Sequence, residues 1–317
     1  MPTTLTIQSP ADYDLARDYC SYGYFLLEPN HWEPETQSAA RVLNLADGPA
    51  AAAIDQRPSG VLRARFDRAL SRPEQTEART QLARMLGTDI PEAEVRDFHR
   101  VDPRWKKSGR GRLCRSPTLF EDIIKTVTSC NVAWPSTITM NRRLCEVMGK
   151  KSPSGVFAFP TPKKLARAKP ATLRARCRVG YRDGRIVELA KLFVKGHIDE
   201  AWLTDPATPS DDVFAFLKTL PGIGPYAAGN IMQLLGRYDR LAIDTESFRH
   251  ARTVLNMDGT DARLTKQLTA YYDAFGRHRF RSYWFEIWDY YESKKGPAST
   301  WEKHTTGATF TASQLNA

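Results

Sequence analysis

One stretch constrains this chain more than any other: Thr219-Leu220-Pro221-Gly222-Ile223-Gly224-Pro225-Tyr226-Ala227-Ala228, followed by Ala242-Ile243-Asp244-Thr245. An amphipathic run, Asp211 to Leu217, leads into it, and a second helical run, Pro225 to Leu235, leaves it. Between them lies a turn with glycines at 222 and 224. Such a turn lets the backbone come close to a partner and leaves the first N–H groups of the next helix unpaired. Those groups, with the positive end of the helix dipole, suit a phosphate. A carboxylate, Asp244, follows ahead of another helical run. A phosphate grip with an acid close behind fits chemistry on a nucleic-acid backbone.

Charge agrees with an anionic partner. The 317 residues carry 46 Lys and Arg against 36 Asp and Glu, a net charge of +10, which points to nucleic acid first. A solvated basic surface is the plain alternative. Length is sufficient for two packed units. The five cysteines are scattered without CxxC spacing, which argues against zinc ribbons and fits a reducing compartment. Met1 to Tyr13 lacks a basic region followed by an apolar core, and no apolar run approaches membrane-spanning length. The expectation is a soluble intracellular protein, in the bacterial cytoplasm or nucleoid, or in a nucleus.

Texture divides the chain. In residues 1–90, Tyr22 to Leu27 and Gly60 to Phe66 read as strands, Asn30 to Pro34 as a turn and Glu74 to Leu86 as a helix. This predicts an α+β lobe with a small antiparallel sheet. Residues 91–295 read as a helical core. In it, Ser116-Pro117 marks an N-cap with proline at the first helical position, opening a helix to about Cys130. Residues 296–317 are rich in Ser, Thr, Gly and Ala and predict a loose tail. The fold class is therefore mostly α with an N-terminal α+β lobe.

At this point the residues carry a resemblance. Leu220-Pro221-Gly222-Ile223-Gly224 resembles the hairpin of the helix-hairpin-helix (HhH-GPD) superfamily of DNA glycosylases, and Asp244 falls where that superfamily keeps its catalytic aspartate. Arg112-Leu113-Cys114-Arg115-Ser116-Pro117, Leu119 to Asn131, Arg143-Leu144-Cys145 and Gly180-Tyr181-Arg182 are similar to blocks of 8-oxoguanine glycosylases. The match covers residues 95–295 in the right order. The resemblance implies a base-excision enzyme that extrudes a damaged base from double-stranded DNA and breaks its glycosidic bond as a monomer. Iron–sulfur relatives hold their cluster on four closely spaced C-terminal cysteines, and no cysteine lies beyond Cys177, so no cluster is expected.

Individual residues follow. A carboxylate at Asp244 can stabilise an oxocarbenium-like sugar and orient or deprotonate water. It can equally cap the helix that starts at Thr245. The hairpin upstream weighs for chemistry. Tyr226 stands where bifunctional relatives carry a Schiff-base lysine, which implies hydrolysis without strand cleavage. Bacterial 3-methyladenine glycosylases, which the chain also resembles, have an aromatic residue there, and such a ring can stack on an extruded base. That favours an alkylated purine, with an oxidised or deaminated base next. A lesion sensor that binds without catalysis is the rival of another class. Trp284, Trp288 and Tyr291 share a helical face and are the expected base pocket; packing in the core is the alternative. Asn131 sits where relatives place the residue that fills the gap left by the flipped base, or it is a helix C-cap. Gly222, Gly224, Arg112, Arg115 and Arg182 are the expected DNA contacts, the first two arginines within a basic loop from Asp102 to Arg115. By resemblance, the backbone carbonyls of Lys218, Leu220 and Ile223 would hold a structural potassium or sodium ion.

Overall fold

The computed structural model describes residues 1–58 and 60–311. The N-terminal lobe is built on strands β1 (Thr4–Ile7), β2 (His31–Glu33), β3 (Ser38–Leu45), β4 (Gly48–Gln56) and β5 (Leu62–Phe66). They form one sheet in the order β1-β5-β4-β3-β2, antiparallel throughout. Alternation fixes the faces. In β5, Leu62, Ala64 and Phe66 are buried, while Arg63 and Arg65 point out and pair with Asp55 of β4 at 2.9 and 2.7 Å.

Tyr22 to Leu27 is not a strand. Gly23–Leu26 is a single 3-10 turn, because every side chain in the run is buried and none alternates to solvent. Asn30 to Pro34 is correspondingly not a turn; its centre is β2. Helix α1 (Arg72–Leu86) opens on a Ser71–Glu74 capping box and closes on Gly87, whose φ of 72° is the left-handed conformation that glycine adopts without cost.

The remaining helices of nine or more residues are α2 (Glu92–Val101), α3 (Leu119–Ser129), α4 (Trp134–Met148), α5 (Asp183–Val194), α6 (Ser210–Thr219), α7 (Pro225–Leu234), α8 (Thr245–Thr253), α9 (Asp261–Asp273) and α10 (Arg279–Lys295). The N-cap of α3 is Thr118, whose hydroxyl accepts from the Glu121 N–H, not Ser116. Ser116 is buried, and its N–H donates to Asp122 Oδ1 at 2.7 Å. Among the described residues no helix is long and apolar enough to cross a membrane.

Apolar packing forms two cores. One joins the sheet to α9, α10 and the residues beyond α10; the other joins α3 through α7. A buried charge cluster ties the sheet to the helices: Arg41 of β3 and Lys125 of α3 both meet Glu121, at 2.6 and 2.7 Å. The stretch after Lys295 is not loose where it is described. Ala298, Trp301 and Phe310 are buried in the first core, because two large aromatics outweigh the polar composition around them. Residues 312–317 of the expected tail lie outside the described residues.

Candidate active site

The hairpin is formed as its residues dictate. α6 ends at Thr219, Pro221 and Gly222 make the turn, and Gly222 takes φ 79°. A Cβ on Gly222 would meet Arg185 Cδ at 2.7 Å, so only glycine lets that arginine lie against the turn. Gly224 is the N-cap of α7 and Pro225 its first residue, with no side chain capping the helix and no acid in its first turn. Space beside Gly224 is open. The N–H groups of Tyr226 and Ala227 therefore have no side-chain acceptor, and the helix end remains available to an anion.

Asp244 is the N-cap of α8, and its two oxygens stand in different surroundings. Oδ1 accepts from the N–H of Glu246 (3.0 Å), the N–H of Ser247 (3.1 Å) and the Ser247 hydroxyl (3.2 Å). Oδ2 has no hydrogen-bond partner among the described residues, and Asp244 lines a cavity of about 420 Å³. The Tyr283 hydroxyl lies 2.5 Å from Ser247 Oγ. With Ser247 donating to the carboxylate, Tyr283 donates to Ser247, so the chain Tyr283–Ser247–Asp244 fixes the acid's orientation. Burial pushes the Asp244 carboxyl up to about 6, and the neighbouring Glu246 carboxylate adds to the rise while the Ser247 N–H opposes it. The group still ionises at neutral pH, at a cost.

The cavity lies at the seam of the two cores. Tyr22, Tyr24, Phe280, Tyr283 and Trp284 come from the first; Ser129, Val132 and Asn230 come from elements of the second. Tyr226 lines it, on the first turn of α7. Trp284 and Tyr291 line it too. Trp288 does not. It is 1% exposed and packs on Trp301 and Phe310, facing inward rather than toward the cavity. Trp134, three residues past Asn131, is a wall of the cavity.

Several lining residues were invisible to pattern reading. Tyr22 donates to Asn230 Oδ1, Asn230 Nδ2 donates to Thr126 Oγ1 at 3.1 Å, and the Tyr24 hydroxyl sits 2.8 Å from the same oxygen. One signal pointed there: Asn230 interrupts the otherwise apolar stretch from Ala227 to Met232. On α8, Glu246 holds Arg249 Nε at 2.5 Å, and the Arg249 guanidinium lies 4.2 Å over the Tyr290 ring; both residues line the cavity.

The expected DNA contacts separate sharply. Gly222 and Gly224 are exposed. Asn131 is exposed just past the C-terminus of α3, in the left-handed conformation with φ 53°. The three arginines are buried instead and hold the fold. Arg112 makes a bidentate pair with Asp12 at 2.9 Å on both arms. Arg115 donates to the Arg84 carbonyl at 3.1 Å and to Asp89. Arg182 donates to the carbonyls of Val127, at 3.0 Å, and Cys130. All three guanidinium groups are engaged by partners within the protein. Two arginines of the basic loop are likewise pinned: Arg104 pairs with Asp102 and Glu286, and Arg110 with Asp289 and Glu292. Only a partner distant in sequence, an acid for Arg112 and backbone carbonyls for Arg182, distinguishes such an arginine from a surface one. Arg182 nevertheless matters to the site, since it anchors the carbonyl just before Asn131.

The Leu220 carbonyl, one of three expected around a cation, accepts the Ile223 N–H at 3.1 Å and retains a second lone pair.

Neither a protein-family model nor a curated protein matches this chain. Solved structures do. The 3-methyladenine DNA glycosylase of Archaeoglobus fulgidus superposes with a TM-score of 0.70 at 19% identity, over 90% of this chain and 98% of that one. The 8-oxoguanine glycosylase/lyase of Clostridium acetobutylicum gives 0.67 at 15% identity, over 90% and 98%. The same enzyme bound to double-stranded DNA with cytosine opposite 8-oxoguanine also gives 0.67 at 15% identity, over 92% and 98%. The chain has the fold of the helix-hairpin-helix DNA glycosylases. The resemblance read from the hairpin and the helix blocks holds at that level, and it extends over the sheet lobe as well as the helical core.

Proposed function

We propose that this chain is a monofunctional DNA glycosylase that hydrolyses the N-glycosidic bond of a damaged base extruded from duplex DNA. The observation that carries the proposal is the free Oδ2 of Asp244, on an oriented carboxyl at the wall of an aromatic cavity within the binding-site size range. In the reaction the bond from C1′ to the base nitrogen breaks and its electron pair leaves with the base. The Asp244 carboxylate stabilises the sugar cation that remains. Water adds to C1′ and gives its proton to the carboxylate. The uncapped start of α7 grips the phosphate backbone, and Asn131 stands where the extruded base was.

Tyr226 and the lack of any lysine in the cavity lining, among the described residues, support hydrolysis over Schiff-base lyase chemistry. An alkylated purine is the first substrate class. A positively charged base leaves as a neutral molecule and stacks well on rings such as Tyr22, Tyr226 and Trp284. Arg249 at the cavity wall favours a second reading, an oxidised or deaminated base that presents carbonyl acceptors. Duplexes carrying single defined lesions separate the two: release of 7-methylguanine but not of hypoxanthine or 8-oxoguanine supports the first. Binding of these duplexes without release of any base would instead support a lesion sensor. A potassium or sodium ion on the Lys218, Leu220 and Ile223 carbonyls is part of the proposal. Replacing potassium by a bulky organic cation at constant ionic strength should then weaken duplex binding.

A further inference from the structure

The segment after α10 is laced into the molecule at both ends of its run. The Trp32 indole N–H donates to the Ser299 carbonyl at 2.8 Å, and Lys303 Nζ donates to Glu28 at 2.7 Å and to the Asn30 carbonyl at 2.9 Å. Farther along, the Trp134 indole N–H donates to the Gly307 carbonyl at 2.9 Å. Gly307 is held so tightly that a Cβ there would meet Leu26 Cδ2 at 2.7 Å and the Glu302 carbonyl oxygen at 2.9 Å.

Phe310 is the centre of this contact. Its ring stacks on Trp301 at 4.8 Å between centroids and meets Tyr291 at 5.2 Å and Trp134 at 5.6 Å edge-on. Phe310 and Thr311 line the same cavity as Asp244. A Cβ on Gly23, another lining residue, would lie 3.0 Å from Trp134 Cη2 and 3.6 Å from Phe310 Cζ. The ring tip therefore lies beside the wall where Gly23 and Trp134 meet.

We propose that residues 298–311 are a strap that completes the base pocket, and that the Phe310 ring sets the largest base the pocket admits. The proposal rests on the glycosylase reading above. Close-packed walls discriminate by size, and loss of one ring from such a wall opens room that rigid neighbours do not refill. Trp134 also loses a ring neighbour when Phe310 is trimmed.

The test compares release of 7-methylguanine and N7-benzylguanine from otherwise identical duplexes under single-turnover conditions. Wild type should release the methyl adduct and largely reject the benzyl adduct. Phe310→Ala should shift the benzyl-to-methyl rate ratio upward by roughly tenfold or more. Phe310→Leu, a milder change that keeps most of the packing, should shift it in the same direction by less, and covers the case in which Phe310→Ala does not fold. An unchanged ratio in a folded variant, or equal loss on both adducts, overturns the strap as a size gate. Release of neither adduct, nor of any other lesion, by wild type overturns the glycosylase reading and the strap with it.

Discussion

Replacing Asp244 by Asn separates its observed role as a helix cap from its proposed role as the acid. As a cap the change is mild, since Asn and Asp are nearly equivalent N-caps and Asn Oδ1 can accept the same N–H groups of Glu246 and Ser247. As an acid the change is complete. Burial raises the carboxyl from 3.8 to about 6, so at pH 8 the ionised form is disfavoured in the folded state by about 3 kcal/mol. Loss of a negative charge at a helix N-terminus gives back about 0.3–1 kcal/mol of that. The sign follows from linkage: a carboxyl with a raised folded-state pKa supports stability below its unfolded value and loses that support as pH rises through about 6. Asp244→Asn should therefore be more stable than wild type by about 2–3 kcal/mol at pH 8, with the difference shrinking toward pH 4. Base release should fall by roughly a hundredfold or more. Urea unfolding at both pH values, with single-turnover release at pH 8, measures both quantities. A variant less stable than wild type at pH 8, with a difference that ignores pH, would make Asp244 a structural cap and refute the reasoning.

Other outcomes follow from the same geometry. Wild-type release should rise with pH through about 6 as Asp244 ionises, and a rate falling across that range would contradict a carboxylate as the working form. Arg182→Ala strips donors from the buried carbonyls of Val127 and Cys130 and should cost about 2–4 kcal/mol in urea unfolding. The same variant should leave the salt dependence of duplex binding unchanged, whereas loss of a true phosphate contact would reduce the log–log slope by about 0.9. Tyr283→Phe removes the donor that steadies Ser247 and should cost about 1 kcal/mol of stability. It should slow release while leaving duplex affinity intact; unchanged release would remove Tyr283 from the positioning chain.

Much of the site was legible because its parts are local in sequence. A proline–glycine turn between two amphipathic runs, and an aspartate before a helical run, declare themselves without knowledge of the fold. What stayed hidden depended on distant partners. Arg112 reads as a surface cation until Asp12, a hundred positions away, closes its fork. Trp288 shares a helical face with Trp284, yet Trp301 and Phe310 cover one and not the other. The alanine-rich strands β3 and β4 gave weak strand propensity, and their pairing decides them. Tyr22 to Leu27 failed for the opposite reason: strong strand propensity in a run buried on every side, where a tight turn brings Tyr22 and Tyr24 together at the cavity.

In the proposed reaction a single oriented carboxylate, without a Schiff-base amine, drives base loss. Incubating wild type and Asp244→Asn with a 7-methylguanine duplex, with and without alkali and with borohydride present in parallel, tests it most directly. Wild type should give strand breaks only after alkali, the variant none, and neither a protein–DNA adduct. A borohydride-trapped adduct, breaks that need no alkali, or full release by Asp244→Asn would contradict it.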